Sequence, residues 1–256
     1  MFENLWLIPL GFVAGIVGSI IGLGGGIIVV PAMTFLGIPP TITASSSLFA
    51  AFSNAVASTA SYAKQKRLDY KIGLRLGMMS VPGAVLGAFV TASVTPSAFK
   101  ILFGLVLIAS CLYLFIKRNF ESGQSEATKQ MVVASAAISF FAGILSSFFG
   151  IGGGIIFVPL MIIGFGLLVK NATATSQLIL LFSSASGMIT HSILGHSGFD
   201  YAVLLSIGAF GGGLVGARLS LEIKERSIRI AIGAAMVATA IKLFIDGSGI
   251  WPPNTN

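Results

Sequence analysis

The sequence predicts an all-α polytopic membrane protein made of two homologous repeats of opposite topology, each a glycine-broken helical hairpin followed by three membrane-spanning helices. Three observations predict it. The 256 residues are 55% hydrophobic and only 9% charged, with a mean hydropathy of +0.97, whereas a soluble domain carries about 25% charged residues. A glycine-rich segment of the first half recurs in the second. The basic residues gather on one face only if the second half is inverted.

Apolar stretches run over 5–21, 27–38, 44–63, 72–93, 98–116, 131–149, 155–169, 174–194, 201–221 and 228–245. Most approach the roughly 20 residues that cross a bilayer. The stretches 27–38 and 155–169 are shorter, and each follows a glycine cluster. The N-terminus carries Glu3 and no basic residue, which is wrong for the start of a signal peptide, so the first stretch is expected to stay in the protein. A polar run from Lys117 to Lys129 falls mid-chain. It sets the expected boundaries: a first repeat over 1–117, a cytoplasmic linker over 118–129, a second repeat over 130–248 and a tail over 249–256. The single cysteine, Cys111, excludes an internal disulfide and a cysteine metal cluster; in its apolar run it is expected to act as a small buried hydrophobe.

The repeat is carried by Gly22-x-Gly24-Gly25-Gly26-x4-Pro31 and Gly150-x-Gly152-Gly153-Gly154-x4-Pro159. Further matches follow in the same order: Thr43 to Leu48 with Thr173 to Leu178, Asp69-Tyr70 with Asp200-Tyr201, Gly83 and Gly87 with Gly212 and Gly216, and Phe103-Gly104 with Ile232-Gly233. This alignment sets Gln177 against Ser47 and Gly187 against Ala57.

Topology follows from charge. If the chain turns back at each glycine cluster, thirteen basic residues share one face (Lys64, Lys66, Arg67, Lys71, Arg75, Lys117, Arg118, Lys129, Lys170, Arg218, Lys224, Arg226 and Arg229) and two, Lys100 and Lys242, the other. With unbroken crossings the split is nine to six, a poor positive-inside pattern. The inverted reading places both termini outside the cytoplasm, with the protein in the inner or plasma membrane. The net charge of +7 then reports orientation. The scatter of basic residues over loop edges disfavours nucleic-acid binding.

Each glycine costs a helix about 1 kcal/mol relative to alanine, and broken backbone survives at membrane depth only when buried in protein or lining a cavity. A half-helix starting at Gly26 or Gly154 points unsatisfied N–H groups and its positive dipole end into the interior, which suits an anion. Candidate substrate contacts are therefore Gly24, Gly25, Gly26, Gly152, Gly153 and Gly154, with the neutral donors Ser46, Ser47, Asn54, Thr175, Ser176 and Gln177 on the following helices. The glycines at four-residue spacing, Gly11, Gly15, Gly18 and Gly22, Gly83 and Gly87, and Gly208, Gly212 and Gly216, are expected to serve close packing. All eight acids lie at segment ends or in loops, so no carboxylate proton relay is evident. Arg75 and Arg218 are expected to snorkel to the interface, and His191 and His196 to cap their helix or face solvent. No paired carboxylates, Cys–His pair or ligand cluster points to an enzyme, and no cofactor or metal is expected.

The doubled glycine motif ending in Pro31 and Pro159, the starts at Ala44–Ser47 and Ala174–Gln177, and Gly83 to Ala88 with Gly212 to Ala217 resemble the sulfite exporter TauE/SafE family over essentially the whole chain. The resemblance implies a permease for sulfite, an organosulfonate or a related sulfur-containing anion, working by alternating access between the repeats. Its partners are then the small anion and the bilayer, with a homo-oligomer left open. An uncoupled small-anion channel and a carrier for another organic anion such as a carboxylate are the alternative functions.

Overall fold

The computed structural model describes residues 4–116, 129–196 and 198–222, together with 237, 240, 241 and 243–245. The side chain of Cys111, the polar linker through residue 128 and the tail lie outside the described residues. The described helices are α1 Leu7–Ile21, α2 Gly26–Phe35, α3 Pro40–Lys64, α4 Tyr70–Ala92, α5 Pro96–Ile116, α6 Lys129–Phe149, α7 Gly154–Phe165, α8 Val169–Ile193 and α9 Phe199–Leu219. No strand occurs among the described residues.

The sequence sets the breaks. Gly22 ends α1 in the left-handed conformation with its N–H on the carbonyl of Gly18, a C-cap that glycine adopts without a Cβ penalty. Pro40 occupies the first turn of α3, where its missing N–H costs nothing. The short helices α2 and α7, of 10 and 12 residues, reach about 15–18 Å at roughly 1.5 Å per residue.

Three described helices, α4, α8 and α9, are long and apolar enough to cross a membrane. α3 matches α8 in length at 25 residues, but its middle is polar: Ser45, Ser46, Ser47, Asn54 and Ser58 are all fully buried. Large apolar side chains point outward instead, among them Met78, Phe89, Phe141, Ile189 and Val203. Buried polar residues within an apolar exterior invert the usual arrangement of a water-soluble protein, and the chain is a membrane protein.

Two compact units are present. Residues 93–121 and 222–256 form the smaller, in which Phe99 stacks on Phe103 with centroids 6.1 Å apart and Gly104 lies beneath the ring of Phe244. Residues 1–92 and 122–221 form the larger. Within it α1 packs on α9 and α6 on α4, α3 on α9 and α8 on α4, and α3 meets α8. Helices α1, α3 and α4 of the first half therefore pack on α9, α8 and α6 of the second in a reciprocal pattern.

Small residues make these contacts close. A Cβ on Gly15 would fall 2.5 Å from the carbonyl oxygen of Ala209, and one on Gly216 2.5 Å from that of Ile16. Gly143 meets the carbonyl of Ser80, and Gly83 that of Phe140. Backbone cannot yield as a flexible side chain can. Replacing Gly212, which lies against the carbonyl of Phe12 with the nitrogen of Ile16 at 2.9 Å from its absent Cβ, by alanine is expected to cost about 1–3 kcal/mol of overpacking. Gly211→Ala, whose Cβ would meet the Phe12 ring at an ordinary 3.4 Å, should leave stability near wild type. Thermal unfolding of the detergent-purified variants compares the two.

The structure corrects the sequence alignment between α3 and α8 by one residue. From Gly26 to Pro40 and from Gly154 to Val169 the second half carries one extra residue, not two. Ser47 Oγ donates to the carbonyl of Gly150 at 2.6 Å and Ser176 Oγ to that of Gly22 at 2.8 Å. Ser47 therefore corresponds to Ser176, Leu48 to Gln177, Ser58 to Gly187 and Tyr62 to His191. Asp69 and Gly198 occupy equivalent positions, each accepting from the amide four residues on, Gly73 and Ala202; Asp200 is not the counterpart of Asp69.

Candidate functional site: the meeting of two glycine breaks

Every glycine of the doubled motif has a separate physical reason. Gly22, Gly24 and Gly25 have φ of +83°, +78° and +80°, and Gly150, Gly152 and Gly153 have +75°, +86° and +76°, a region that costs an L-residue about 1–2 kcal/mol. The fourth glycine is helical but crowded. A Cβ on Gly26 would run into the carbonyl of Gly150 and lie 2.6 Å from Cα of Ile151, and one on Gly154 would run into the carbonyl of Gly22 and lie 2.7 Å from Cα of Leu23. The two breaks thus press directly on each other, with the starts of α2 and α7 at the contact.

Two residues that sequence reasoning missed stand at this junction. Leu180 and Ala51 both border the absent side chains of Gly24 and Gly152, with Leu180 Cδ1 at 3.1 Å from the first and Cδ2 at 2.8 Å from the second. They hold equivalent positions on α8 and α3, so the centre is filled from one side by a large side chain and from the other by a small one. Both are apolar and gave no chemical signal in sequence.

Most of the predicted hydroxyl and amide donors already have partners. Ser47 and Ser176 bond the carbonyls of the opposite break. Ser46 donates to the carbonyl of Gly198 at 3.4 Å, and Thr175 accepts from the amide of Asp69 at 3.0 Å. Asn54 and Gln177 belong to one network: Gln177 Nε2 donates to the carbonyl of Gly18 at 3.0 Å, and Asn54 Nδ2 to Gln177 Oε1 at 3.4 Å. Ser19 donates to Asn54 Oδ1 at 2.9 Å and meets Ser58 Oγ at 2.6 Å. The effect is electrostatic. A bare carbonyl would repel an anion, and the carbonyls of Gly18, Gly22 and Gly150 are each covered by a donor. Truncating Asn54 to alanine leaves Ser19, Ser58 and Gln177 short of a buried partner, and an expected loss of about 1–3 kcal/mol is measurable by chemical unfolding.

The second half lacks this network. Gly187 stands where Ser58 stands and Ser183 where Asn54 stands, and Ser147, the counterpart of Ser19, has no partner for its Oγ. Ser146 Oγ is likewise unpartnered, and both serines are fully buried. A Cβ on Gly153 would come within 3.1 Å of Ser146 Cβ, and one on Gly187 within 2.8 Å of Ser147 Oγ. Free buried hydroxyls are costly; Ser146 adjoins the start of α7, and Ser147 faces α8 at Gly187. The equivalence of Ser146 and Ser147 to Gly18 and Ser19 was readable in the repeat; their lack of partners was not.

Arg75 and Arg218 are exposed, in keeping with snorkelling. Of the two histidines, His191 departs from expectation, whereas His196 stays partly exposed just after α8. His191 is fully buried, with Nε2 3.2 Å from the carbonyl of Ser147 and Nδ1 3.2 Å from Nδ1 of His196. It neither caps α8 nor faces solvent, because it holds the end of α6.

Comparison with known proteins decides the family. The model of the family described as sulfite exporter TauE/SafE matches residues 7–243. The chain belongs to this membrane transporter family. It is 34% identical to the probable membrane transporter protein YunE of Bacillus subtilis, across 94% of this chain and 97% of that protein. It is 29% identical to the probable membrane transporter protein MJ0441 of Methanocaldococcus jannaschii, across 92% and 94%. The probable membrane transporter protein YfcA of Escherichia coli is 24% identical across 92% and 87%. No solved structure matches the chain. Sulfite exporter is thus the family's description, and the members named here carry the description probable membrane transporter protein.

Proposed function

We propose that this TauE/SafE protein carries a small sulfur-containing oxyanion, such as sulfite or an organosulfonate, bound where the two glycine breaks meet. The observation that carries this reading is the mutual contact of Gly26 with the Gly150 carbonyl and of Gly154 with the Gly22 carbonyl. It brings the starts of two half-helices to one place, where their first-turn N–H groups lack intrahelical acceptors and their dipoles favour negative charge. Ser146 and Ser147 add unpartnered hydroxyls. Such donors hold an anion without a fixed countercharge, which favours release, and Leu180 keeps the centre narrow. Gly24, Gly25, Gly26, Gly152, Gly153 and Gly154 form the cradle; Ser46, Ser47, Asn54, Thr175, Ser176 and Gln177 shape it by covering carbonyls and fixing helices.

The reciprocal packing of the helices and the thirteen-to-two charge count support inverted repeats with both termini outside the cytoplasm, a topology that suits alternating access at a midplane site. A reporter fused to the N-terminus that fluoresces only in cytoplasm should stay dark; a bright signal removes the inverted reading. Substrate class is tested by a thermal-shift panel of sulfite, thiosulfate, sulfonates, sulfate and carboxylates on purified protein. Sulfite or a sulfonate should stabilise, by about 2.7 kcal/mol at a hundredfold excess over Kd. Stabilisation by carboxylates alone contradicts the assignment.

A further inference from the structure

The turns after α3 and α8 occupy equivalent positions and are built differently. Each closes its helix with the same pair of backbone bonds: the amides of Lys66 and Arg67 donate to Ala63 and Tyr62, and those of Gly195 and His196 to Ser192 and His191. This ending places one residue in the left-handed region, where glycine is the usual choice. Gly195 fills it at φ +74°, whereas Lys66 is held at +56°, a conformation lysine rarely adopts. The strained turn is also the more firmly tied. Arg67 donates by Nη1 to Gln65 Oε1 at 3.0 Å and to Ser220 Oγ at 2.8 Å, and by Nη2 to the carbonyl of Lys170 at 2.8 Å. Gln65 Nε2 donates to the Ala217 carbonyl at 3.0 Å, and the amide of Asp69 to Thr175 Oγ1 at 3.0 Å. Apart from the Gln65 contact of Arg67, each of these bonds crosses to α8 or to the end of α9. At the turn after α8 the described residues make one such crossing, from Ser46 Oγ to the Gly198 carbonyl at 3.4 Å. Leu194 and His196 stand there in place of Gln65 and Arg67.

The strained turn is held by a cation without an anion. The hydrogen-bond acceptors of Arg67 are all neutral, and its guanidinium lies over the Tyr62 ring at 4.8 Å. No carboxylate pairs with it among the described residues; Asp69 Oδ1 accepts instead from the amide of Ile72 at 2.9 Å. The adjacent Lys64 and Lys66 are exposed and add positive charge. A guanidinium carries five N–H donors. Nη1 has both of its own engaged and Nη2 one, while Nε is shielded from solvent and has no partner. Nε and Nη2 share one edge of the guanidinium, which can grip an oxyanion by two parallel bonds.

We propose that Arg67 is an oxyanion-operated latch at the mouth of a route to the glycine junction: closed on its neutral acceptors, and released when an oxyanion takes the guanidinium. Charge-assisted bonds to an oxyanion are shorter and stronger than those to a hydroxyl or a carbonyl. Because Nε is shielded while the turn is closed, an anion that uses it binds the released form better. A ligand shifts an equilibrium only through such a difference, and relief of the backbone at Lys66 acts in the same direction. The position of the latch gives its purpose. The Lys170 carbonyl also accepts from Thr173 Oγ1 at 3.0 Å, the Thr173 carbonyl accepts from Ser176 Oγ at 2.7 Å, and Ser176 Oγ donates in turn to the Gly22 carbonyl. Residues at three-residue spacing share a helix face, so Lys170, Thr173 and Ser176 join Arg67 to the first glycine break. That the anion is the transported one rests on the proposed function; the latch itself requires only an oxyanion.

Hydrogen exchange of the segment 63–70 tests this on the full-length protein in detergent, with sulfite or with sodium chloride at equal ionic strength. Sulfite should speed exchange in wild type by about tenfold, within the usual range of a ligand's coupling to a conformational equilibrium, and chloride should not. Arg67→Ala should exchange fast in both. Ser220→Ala removes one tie and keeps the cation, so its turn should loosen without sulfite and still respond to it. The double variant Ser146→Ala with Ser147→Ala, which weakens the junction, should keep the full response of the turn. Sulfite that leaves exchange unchanged or slows it, an equal response to chloride, a response that survives in Arg67→Ala, or one that vanishes in Ser220→Ala or in the double serine variant overturns the latch. Flux in proteoliposomes separates this from the transport reading. A turn that responds to sulfite in a protein that carries none counts against transport alone, and sulfite flux with an unresponsive turn counts against the latch alone.

Discussion

Gly154→Val is expected to abolish sulfite flux in proteoliposomes, by a hundredfold or more on the folded, inserted fraction. The added side chain must displace the Gly22 carbonyl and the Cα of Leu23, and a contact between two backbones has no flexible partner to give way. If each 1.4 kcal/mol is worth a factor of ten, a typical overpacking cost of about 1–3 kcal/mol accounts for a loss of about fivefold to just over a hundredfold even before the geometry of the cradle changes. Gly153→Val adds left-handed strain, at φ +76°, to contacts with Phe157 at 2.9 Å and Ser146 at 3.1 Å. Gly37 and Gly195 separate strain from contact, since both have positive φ, +74°, and a Cβ on either would meet nothing within 4 Å. Alanine there should cost about 1–2 kcal/mol of stability and leave flux near wild type. Full flux from Gly154→Val would show that substrate does not pass this junction.

The second large effect concerns Ser146 and Ser147. Because neither hydroxyl has a partner, replacing both with alanine removes no internal bond, and thermal stability without substrate should hold or rise. Substrate binding should weaken about tenfold or more for each donor lost, since a hydrogen bond to a charged group is worth roughly 1.5–3 kcal/mol. Ser47→Ala and Ser176→Ala should behave in the opposite way. They uncover the carbonyls of Gly150 and Gly22, so stability falls without ligand present. Titration of sulfite against the purified variants, beside their unfolding curves, distinguishes donors to the anion from donors to the backbone.

The glycine motif was legible because its signal is local. Positive φ and backbone contact both demand glycine, and two copies of one pattern half a chain apart exclude coincidence. The short helices after each break and the polar centre of α3 could be read for the same reason. Partnership was not legible. Sequence marks Ser47, Ser146 and Ser176 alike as hydroxyls in apolar helices, and only the fold shows that Ser47 and Ser176 bond carbonyls of the other half while Ser146 bonds nothing. The one-residue shift between α3 and α8 escaped for a related reason: Thr-Ala-Ser-Ser-Ser and Thr-Ala-Thr-Ser-Gln align by composition, whereas the helix register is set by the turn before them. Leu180 and His191 were missed or misplaced because an apolar side chain and a lone histidine say nothing about which element they face.

The central claim is that the anion sits between the two glycine breaks, held by helix starts and free serines. Selenite has the shape and charge of sulfite, and its selenium gives an anomalous signal. An anomalous difference map from soaked crystals should therefore show a peak within hydrogen-bonding reach of the Ser146 and Ser147 hydroxyls and the first turn of α7. Selenium found only at the exposed Arg75 or Arg218, with the junction empty at concentrations that saturate flux, would contradict it.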